Sequence, residues 1–366
     1  MKVVIVGAGV AGLGIGWRLA QAGADVTVLE RAQPGRGATW AAAGMIAPTA
    51  ESGDSDSDEA KFARLSANLW PAFATELEAQ SGRSIGYKRD GTLMVALTAD
   101  EADALARRAN SNTAADHRPQ LIATEEARAA EPLLGANIAC ALWDTEEAQV
   151  DNRALGTALA RTFTRAGGKL LVNEAVVKIE SESGIVIGAR TPFALHHADA
   201  VVVAAGAWSE EIEMPAGTSP PVIPVKGEMV ALTPPTGVAL PNHVVWGNSV
   251  YLVPRAGRVL VGATVQHIGI DTSLTDEGAN WLLEKATGLM PALAGWAVSE
   301  HWAGLRPGTP DDLPILGETA VKGLFVATGQ FRSGILIAPA VAETMSRLIL
   351  SATAVAEIRA FDPKRF

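Results

Sequence analysis

The first thirty residues constrain the fold most. Val3, Val4, Ile5 and Val6 form an apolar run that ends in Gly7-Ala8-Gly9-Val10-Ala11-Gly12. A helical stretch follows, then a second apolar run, Val26-Thr27-Val28-Leu29, closing on Glu30-Arg31. The pattern predicts a strand, a glycine turn, a helix and a second strand with an acid at its end. Gly7 permits the tight turn, Gly9 lets backbone approach a pyrophosphate, and Gly12 lets the helix pack close to the strand. The helix N-terminus then presents free N–H groups and its positive dipole end to the phosphates. Glu30 is placed to accept hydrogen bonds from an adenosine ribose, where a carboxylate would repel a 2′-phosphate. Glycine-rich turns are common on their own. Here the strand, the helix and the spacing of the acid agree on a dinucleotide site.

Composition bounds the remainder. A chain of 366 residues suits two domains around a large buried core. With 48% hydrophobic and 19% charged residues, little of it has the composition of a disordered segment. A net charge of −10 disfavours a nucleic-acid partner, because phosphate binding needs clustered Lys and Arg. Cys140 is the sole cysteine, so no internal disulfide forms, in keeping with a reducing compartment. The apolar start after Met-Lys imitates a signal peptide, but the motif glycines interrupt it. No uninterrupted apolar run reaches the roughly 20 residues of a membrane helix. The expectation is a cytoplasmic protein with no stable membrane insertion.

The order of elements reads as interleaved rather than tandem. Arg36 to Pro48 is a run of small residues around Trp40 with no helix or strand period. Such a run suits either close approach to a flat ring system or a tightly packed loop. Glu51 to Glu59 (ESGDSDSDE) reads as an exposed acidic loop or lid. Helices are predicted at Ala60–Gln80, Ala99–Ser111 and Arg153–Ala166, and strands at Gly91–Leu97 and Ala141–Trp143. Lys169–Val172, Val176–Glu180 and Val201–Ser209 read as strands of the first domain, the last apolar on both faces as in a central parallel sheet. Val222–Leu232, Ser249–Pro254 and Arg258–Val265 suggest an antiparallel sheet. Gly323–Gly329 is a buried strand, and a helix is expected from Ile335.

Several motifs in order carry a resemblance: GAGVAG, GATWAAAGMIAP, GTLMVAL, EAQVDNRAL, PVKGEMVAL, YLVPRAGRVLVGAT, WAGLRPGTPDDLPILG and GQFRSGILIAP. Over essentially its whole length the chain resembles the glycine oxidases of the D-amino-acid oxidase group of flavoproteins. The resemblance implies an α/β fold, with a doubly wound, Rossmann-like FAD domain and an α+β substrate domain built on an antiparallel sheet. The FAD domain is expected from residues 1–82, 149–212 and 319–366, and the substrate domain from 83–148 and 213–318. The resemblance also implies noncovalent FAD and oxidative deamination of glycine or a similar small amine. O2 would be reduced to hydrogen peroxide and the imine supplied to thiazole, hence thiamine, synthesis, by a homo-oligomer.

In such chemistry FAD accepts the hydride, so the protein positions the substrate and biases charge. The amine must be neutral, and the substrate carboxylate should meet a fixed cation. Arg306, in Gly304-Leu305-Arg306-Pro307-Gly308, suits this through its planar fork and permanent charge, with Pro307 restricting the backbone before it. The resemblance assigns Arg306 as carboxylate anchor, Tyr251 as active-site tyrosine and Arg332 as a second position near substrate and flavin. A surface salt bridge, a core tyrosine and a loop-ordering arginine are the respective alternatives.

The resemblance also maps Val10, Ala11, Glu30, Arg31, Ala38, Thr39, Ala43, Gly44, Met45 and Val176 onto FAD contacts. Gln330, Phe331, Arg332, Ser333, Gly334, Ile335 and Leu336 complete that set, beside Gly7, Gly9 and Gly12 of the opening motif. The helix after Gly334 is expected to aim its N-terminus at the flavin pyrimidine edge, where negative charge develops. Val265, Gln330, Ser333 and Trp40 depart from the family pattern. Val265 puts the preferred substrate in doubt, and Trp40 would restrict entry if it faced the channel. Cys140 reads as packing, and His196-His197 lacks metal-ligand spacing. Two alternatives remain open at this stage. One is a dehydrogenase of the same fold using an acceptor other than oxygen. The other is a tRNA-modifying flavoprotein, which the acidic charge disfavours.

Overall fold

The computed structural model describes residues 1–51, 56–111, 118–351, 353 and 355–366. β1 (Lys2–Val6) and β2 (Asp25–Glu30) pair in parallel and are joined by α1 (Val10–Gln21). Lys169–Val172 adds a parallel strand beyond β2; Ala200–Val203 and Leu324–Thr328 add two beyond β1. Ile315–Glu318 closes the far edge of this six-stranded sheet in the antiparallel sense. Alternate residues of β1 serve different cores. Val3 and Ile5 pack with Leu13, Ile15, Leu159 and Val341 from the helices on one face. Val4 and Val6 pack with Ile179 and Val186 on the other. Both faces are dry, which is why the strands read as unbroken apolar runs.

The second face is covered by a sheet rather than by helices. Val176–Glu180, expected as a strand of the first domain, contributes to Lys178–Glu182 of a three-stranded antiparallel sheet with Ile185–Arg190 and Leu195–His197. Only Ile179 of that strand is buried, between half-buried Lys178 and Glu180. A strand with one apolar face cannot occupy a position buried on both sides.

An eight-stranded mixed sheet forms the other half of the molecule. Its order is Ala297–Gly308, Ile223–Thr233, Arg258–Gly262, Val250–Arg255, Val244–Gly247, Thr92–Ala96, Cys140–Asp144 and Gln120–Ala123. One face packs on the helix Asp276–Leu289 through Leu282, Ala286 and Leu289. The opposite face, with Met229, Tyr251, Val253 and Trp302, meets Ala43, Met45, Ala47 and Ala50. These come from the small-residue run and the residues just after it, which fold as three short pieces: α2 (Ala38–Ala41), β3 (Met45–Ile46) and α3 (Pro48–Glu51).

Two expected boundaries change. The acidic run is not one exposed loop: Glu51 ends α3 with its side chain turned from solvent, and Asp58 and Glu59 open the helix Asp58–Ser81, capped by Ser57. Residues 52–55 of that run lie outside the described residues. The C-terminal helix starts at Ala338, after turns over 331–337, and not at Ile335. Among the described residues no helix is long and apolar enough to cross a membrane.

Candidate active site

The C-terminal ends of β1, β2 and Ala200–Val203 open into a cavity of about 540 Å³ that continues to the eight-stranded sheet. Backbone builds the first end. Gly7 turns at φ +102°, and a Cβ there would lie 2.5 Å from the Ala204 carbonyl oxygen. At Gly9, the N-cap of α1, a Cβ would meet only Thr39 Oγ1 at 3.5 Å, so its absence leaves that space to the cavity. Gly12 does not line the cavity. Its role is packing, since a Cβ would stand 2.0 Å from the Gly7 carbonyl oxygen. Glu30 is fixed by accepting the Ala8 and Ala32 N–H groups at 2.8 and 3.0 Å. Arg31 lies 3.6 Å above the Trp208 ring, and both line the cavity with Val176.

The middle of the cavity is lined by Ala38, Thr39, Ala43, Gly44 and Met45. The carbonyls of this segment are held from outside it. Asn152 donates to the Thr39 and Trp40 oxygens at 2.8 and 2.9 Å, and Trp302 Nε1 donates to Ala41 at 3.0 Å. Arg255 donates to the Ala43 oxygen and, at 2.8 Å, to Gln149. Gly44 sits at φ +80°, where a Cβ would be 2.0 Å from the Val150 oxygen. With its carbonyls bonded to distant side chains, the segment needs neither helix nor sheet periodicity. Trp40 points away from the cavity, its ring 3.9 Å from the Arg153 guanidinium and edge-on to Trp302. It therefore does not restrict entry.

Side chains build the far end. Arg306 and Tyr251 project from the strands Ala297–Gly308 and Val250–Arg255. Arg306 Nη1 donates to the Thr264 oxygen at 3.1 Å and more weakly to Lys226 at 3.5 Å. A Cβ at Gly227 would clash with the guanidinium at 2.4 Å, so glycine there makes room for it. The strand beneath is fixed by Lys226 and Glu228, whose charges meet at 3.1 Å with almost no solvent exposure. Tyr251 is buried against Gly262, and burial pushes its phenol above the ordinary value. Arg332 lies 3.7 Å from Glu51 Oε2 and over the Trp246 ring. Burial pushes the Glu51 carboxyl up to about 7, against the pull of Arg332 and Arg306.

Of the last expected segment, Gln330, Phe331, Arg332, Gly334 and Ile335 line the cavity. Ser333 and Leu336 do not: the Ser333 oxygen accepts the Ile337 N–H, and the Leu336 oxygen accepts Trp70 Nε1 at 2.9 Å. The helix N-terminus at Ala338 is likewise outside the lining. Val265 is half exposed at the cavity wall. Cys140 and His196-His197 lie elsewhere. Sequence reasoning missed Glu51, Met229, Trp246 and Trp208, all in the lining. For Met229 a signal existed, since it stands two residues after Gly227 in the PVKGEMVAL motif.

The lining fits a flavin dinucleotide. Gly7 and Gly9 leave room for a pyrophosphate, and Glu30 offers a fixed carboxylate at the strand end. Gln330 Nε2 is buried and has no hydrogen-bond partner among the described residues, a donor suited to a ring carbonyl.

Comparisons with known proteins agree. Residues 2–348 match the family model described as FAD dependent oxidoreductase. The chain is 36% identical over 370 residues to the bifunctional protein ThiO/ThiG of Synechocystis sp., covering 100% of this chain but 54% of that protein. It thus spans about half the length of the curated relatives of that type. It is 35% identical to the glycine oxidase of Pseudomonas aeruginosa, covering 95% of this chain and 94% of that protein. The crystal structure of glycine oxidase from Geobacillus kaustophilus superposes with a TM-score of 0.94 at 34% identity, covering 100% and 99% of the two chains.

Proposed function

The chain belongs to the FAD dependent oxidoreductase family, and on that premise we propose that it oxidises glycine or a similarly small amino acid to the imine. One observation carries the reading. Arg306 and Tyr251 meet at one end of a cavity whose other end is the glycine turn and Glu30. The glycines and Glu30 would hold the nucleotide half of FAD. The segment 38–45 and Gln330 would hold its ring system.

Bound FAD supplies a two-electron acceptor for the hydride from the substrate Cα. The protein does the rest by placement. Arg306, tethered to the Thr264 carbonyl, holds the substrate carboxylate, and the Tyr251 hydroxyl adds a second contact to it. Met229 and Trp246 line the same cavity beside Tyr251 and would bound the substrate there. The family resemblance favours O2 as the final acceptor, with hydrogen peroxide released and the imine passed to thiazole synthesis.

The test begins anaerobically. Glycine is mixed with the yellow holoprotein and the oxidised-flavin band is followed. Bleaching in the wild type, absent in an Arg306→Ala variant that stays yellow, is the expected result. Admitting air and measuring peroxide then separates an oxidase from a dehydrogenase. An Arg306→Ala variant that bleaches at the wild-type rate would remove the assignment.

A further inference from the structure

Glu51 stands at the substrate end of the cavity without a task in the carboxylate clamp. Its side chain is 7% exposed, and among the described residues its Oε2 accepts no hydrogen bond. A buried carboxylate oxygen without a donor is costly unless it takes a proton or meets one. Its position is fixed by partners behind it. Glu147 Oε1 accepts the Thr49 and Ala50 N–H groups at 2.6 and 3.0 Å, and the Thr49 hydroxyl donates to Asp144 at 2.7 Å. Arg108 donates to the Ala50 oxygen at 3.1 Å. The α3 turn is thereby anchored, with its last residue in the cavity lining.

The reaction proposed above needs the substrate amine to shed a proton before hydride leaves. Resting on that reading, we propose that Glu51 is the catalytic base that takes the proton from the bound substrate's ammonium group. The N–H bond breaks with its electron pair left on nitrogen, and an O–H bond forms at Glu51. No electrons are exchanged in this step. The nitrogen pair is then free to form the C=N bond as hydride departs from Cα, and the carboxyl later returns its proton to water.

The charges around Glu51 suit this task. Burial raises its proton affinity most, and Glu59 adds to it; Arg332, Arg306 and Arg108 oppose it. The Tyr251 phenol, itself pushed up by burial, stays neutral. The balance lies at about 7, where a base is both ionised and able to hold a proton near neutral pH. Only the carboxylate accepts, so the reaction slows as pH falls through that value.

The test uses holoprotein of the wild type, Glu51→Gln and Glu51→Asp, with retained flavin colour as the folding control. Anaerobic reduction by glycine should show an acid limb near the Glu51 value in the wild type. At neutral pH Glu51→Gln should be slower by roughly 10²-fold, recovering as pH rises and glycine loses its own proton. Glu51→Asp should restore part of the limb. A second measurement needs no turnover: acetate, which lacks an amine, is titrated against the flavin spectrum. It should bind the wild type more weakly above pH 7 than below, because two carboxylates then face each other, and bind Glu51→Gln alike at both. A Glu51→Gln protein that keeps both the acid limb and the pH-dependent acetate affinity would overturn the proposal alone. A wild type that no small amino acid reduces at any pH would overturn the reaction, and this step with it.

Discussion

The two ends of the cavity are built by opposite means. At the end proposed for the nucleotide, the turn itself is backbone, with Gly7, Gly9 and the start of α1 set by residues adjacent in the chain and Glu30 following on the next strand. At the far end the wall is side chain: Glu51, Tyr251, Arg306 and Arg332 come from separate segments. A backbone wall depends on what is missing, a Cβ. A side-chain wall depends on which groups are present. Substitutions should therefore fail differently at the two ends.

The largest effect is expected from Gly12→Val. Its Cβ would lie 2.0 Å from the Gly7 oxygen, so α1 must move off β1 and the nucleotide turn with it. Overpacking of this kind costs about 1–3 kcal/mol or more. The protein should lose its flavin and melt earlier, as followed by absorbance and calorimetry. Retention of flavin would break the comparison.

Next comes Arg306→Lys, which keeps the charge but loses the fork. It should retain flavin and lose about 10²-fold in kcat/KM for glycine. Tyr251→Phe removes one hydroxyl, and a loss of about tenfold is expected, on the scale of one hydrogen bond. Steady-state kinetics beside a flavin-content assay decide both. If either variant emptied the cofactor site, the two ends would not be separable.

A smaller effect concerns stability. Burial pushes the Glu147 carboxyl up to about 8 from its ordinary 4.5, with Asp144 adding to it. The folded state thus binds this proton more tightly than the unfolded chain. The resulting stability is full below about pH 4.5 and lost as pH rises through about 8. Glu147→Gln should flatten that decline, changing Tm on the order of 2–4 °C at the alkaline end. The smallest effect is expected from Trp40→Ser: substrate preference should not change, because the ring faces Arg153 and Trp302.

The contrast between the ends also explains what could be read from the chain. The strand–glycine–helix–acid pattern is contiguous, so its geometry is legible within thirty residues. Arg306 and Tyr251 were legible only through long family motifs, because nothing local says that residues 55 apart share a wall. Glu51 was missed because it begins a sequence run that reads as a solvated acidic loop. It turns inward only because Glu147 and Asp144, about 95 residues away, hold α3. The facing of Trp40 was not legible for a similar reason: its ring packs on Arg153 and Trp302, both distant in the chain. The final helix began late because the turns over 331–337, with Phe331 at φ +41°, intervene before regular helix resumes.

The order of strands in the parallel sheet has a consequence for how the molecule is made. β1 leaves the ribosome long before its neighbour opposite β2, Ala200–Val203, which in turn waits for Leu324–Thr328. Gln330, which lines the cavity, follows directly. Contacts of such sequence separation form slowly, since chain closure precedes any reward. Flavin capture must then be among the last events of biogenesis. Over much of its synthesis the nascent chain carries one edge of its β1–β2 pair open, so a cell short of flavin or of chaperones should lose this protein to aggregation before it loses catalysis.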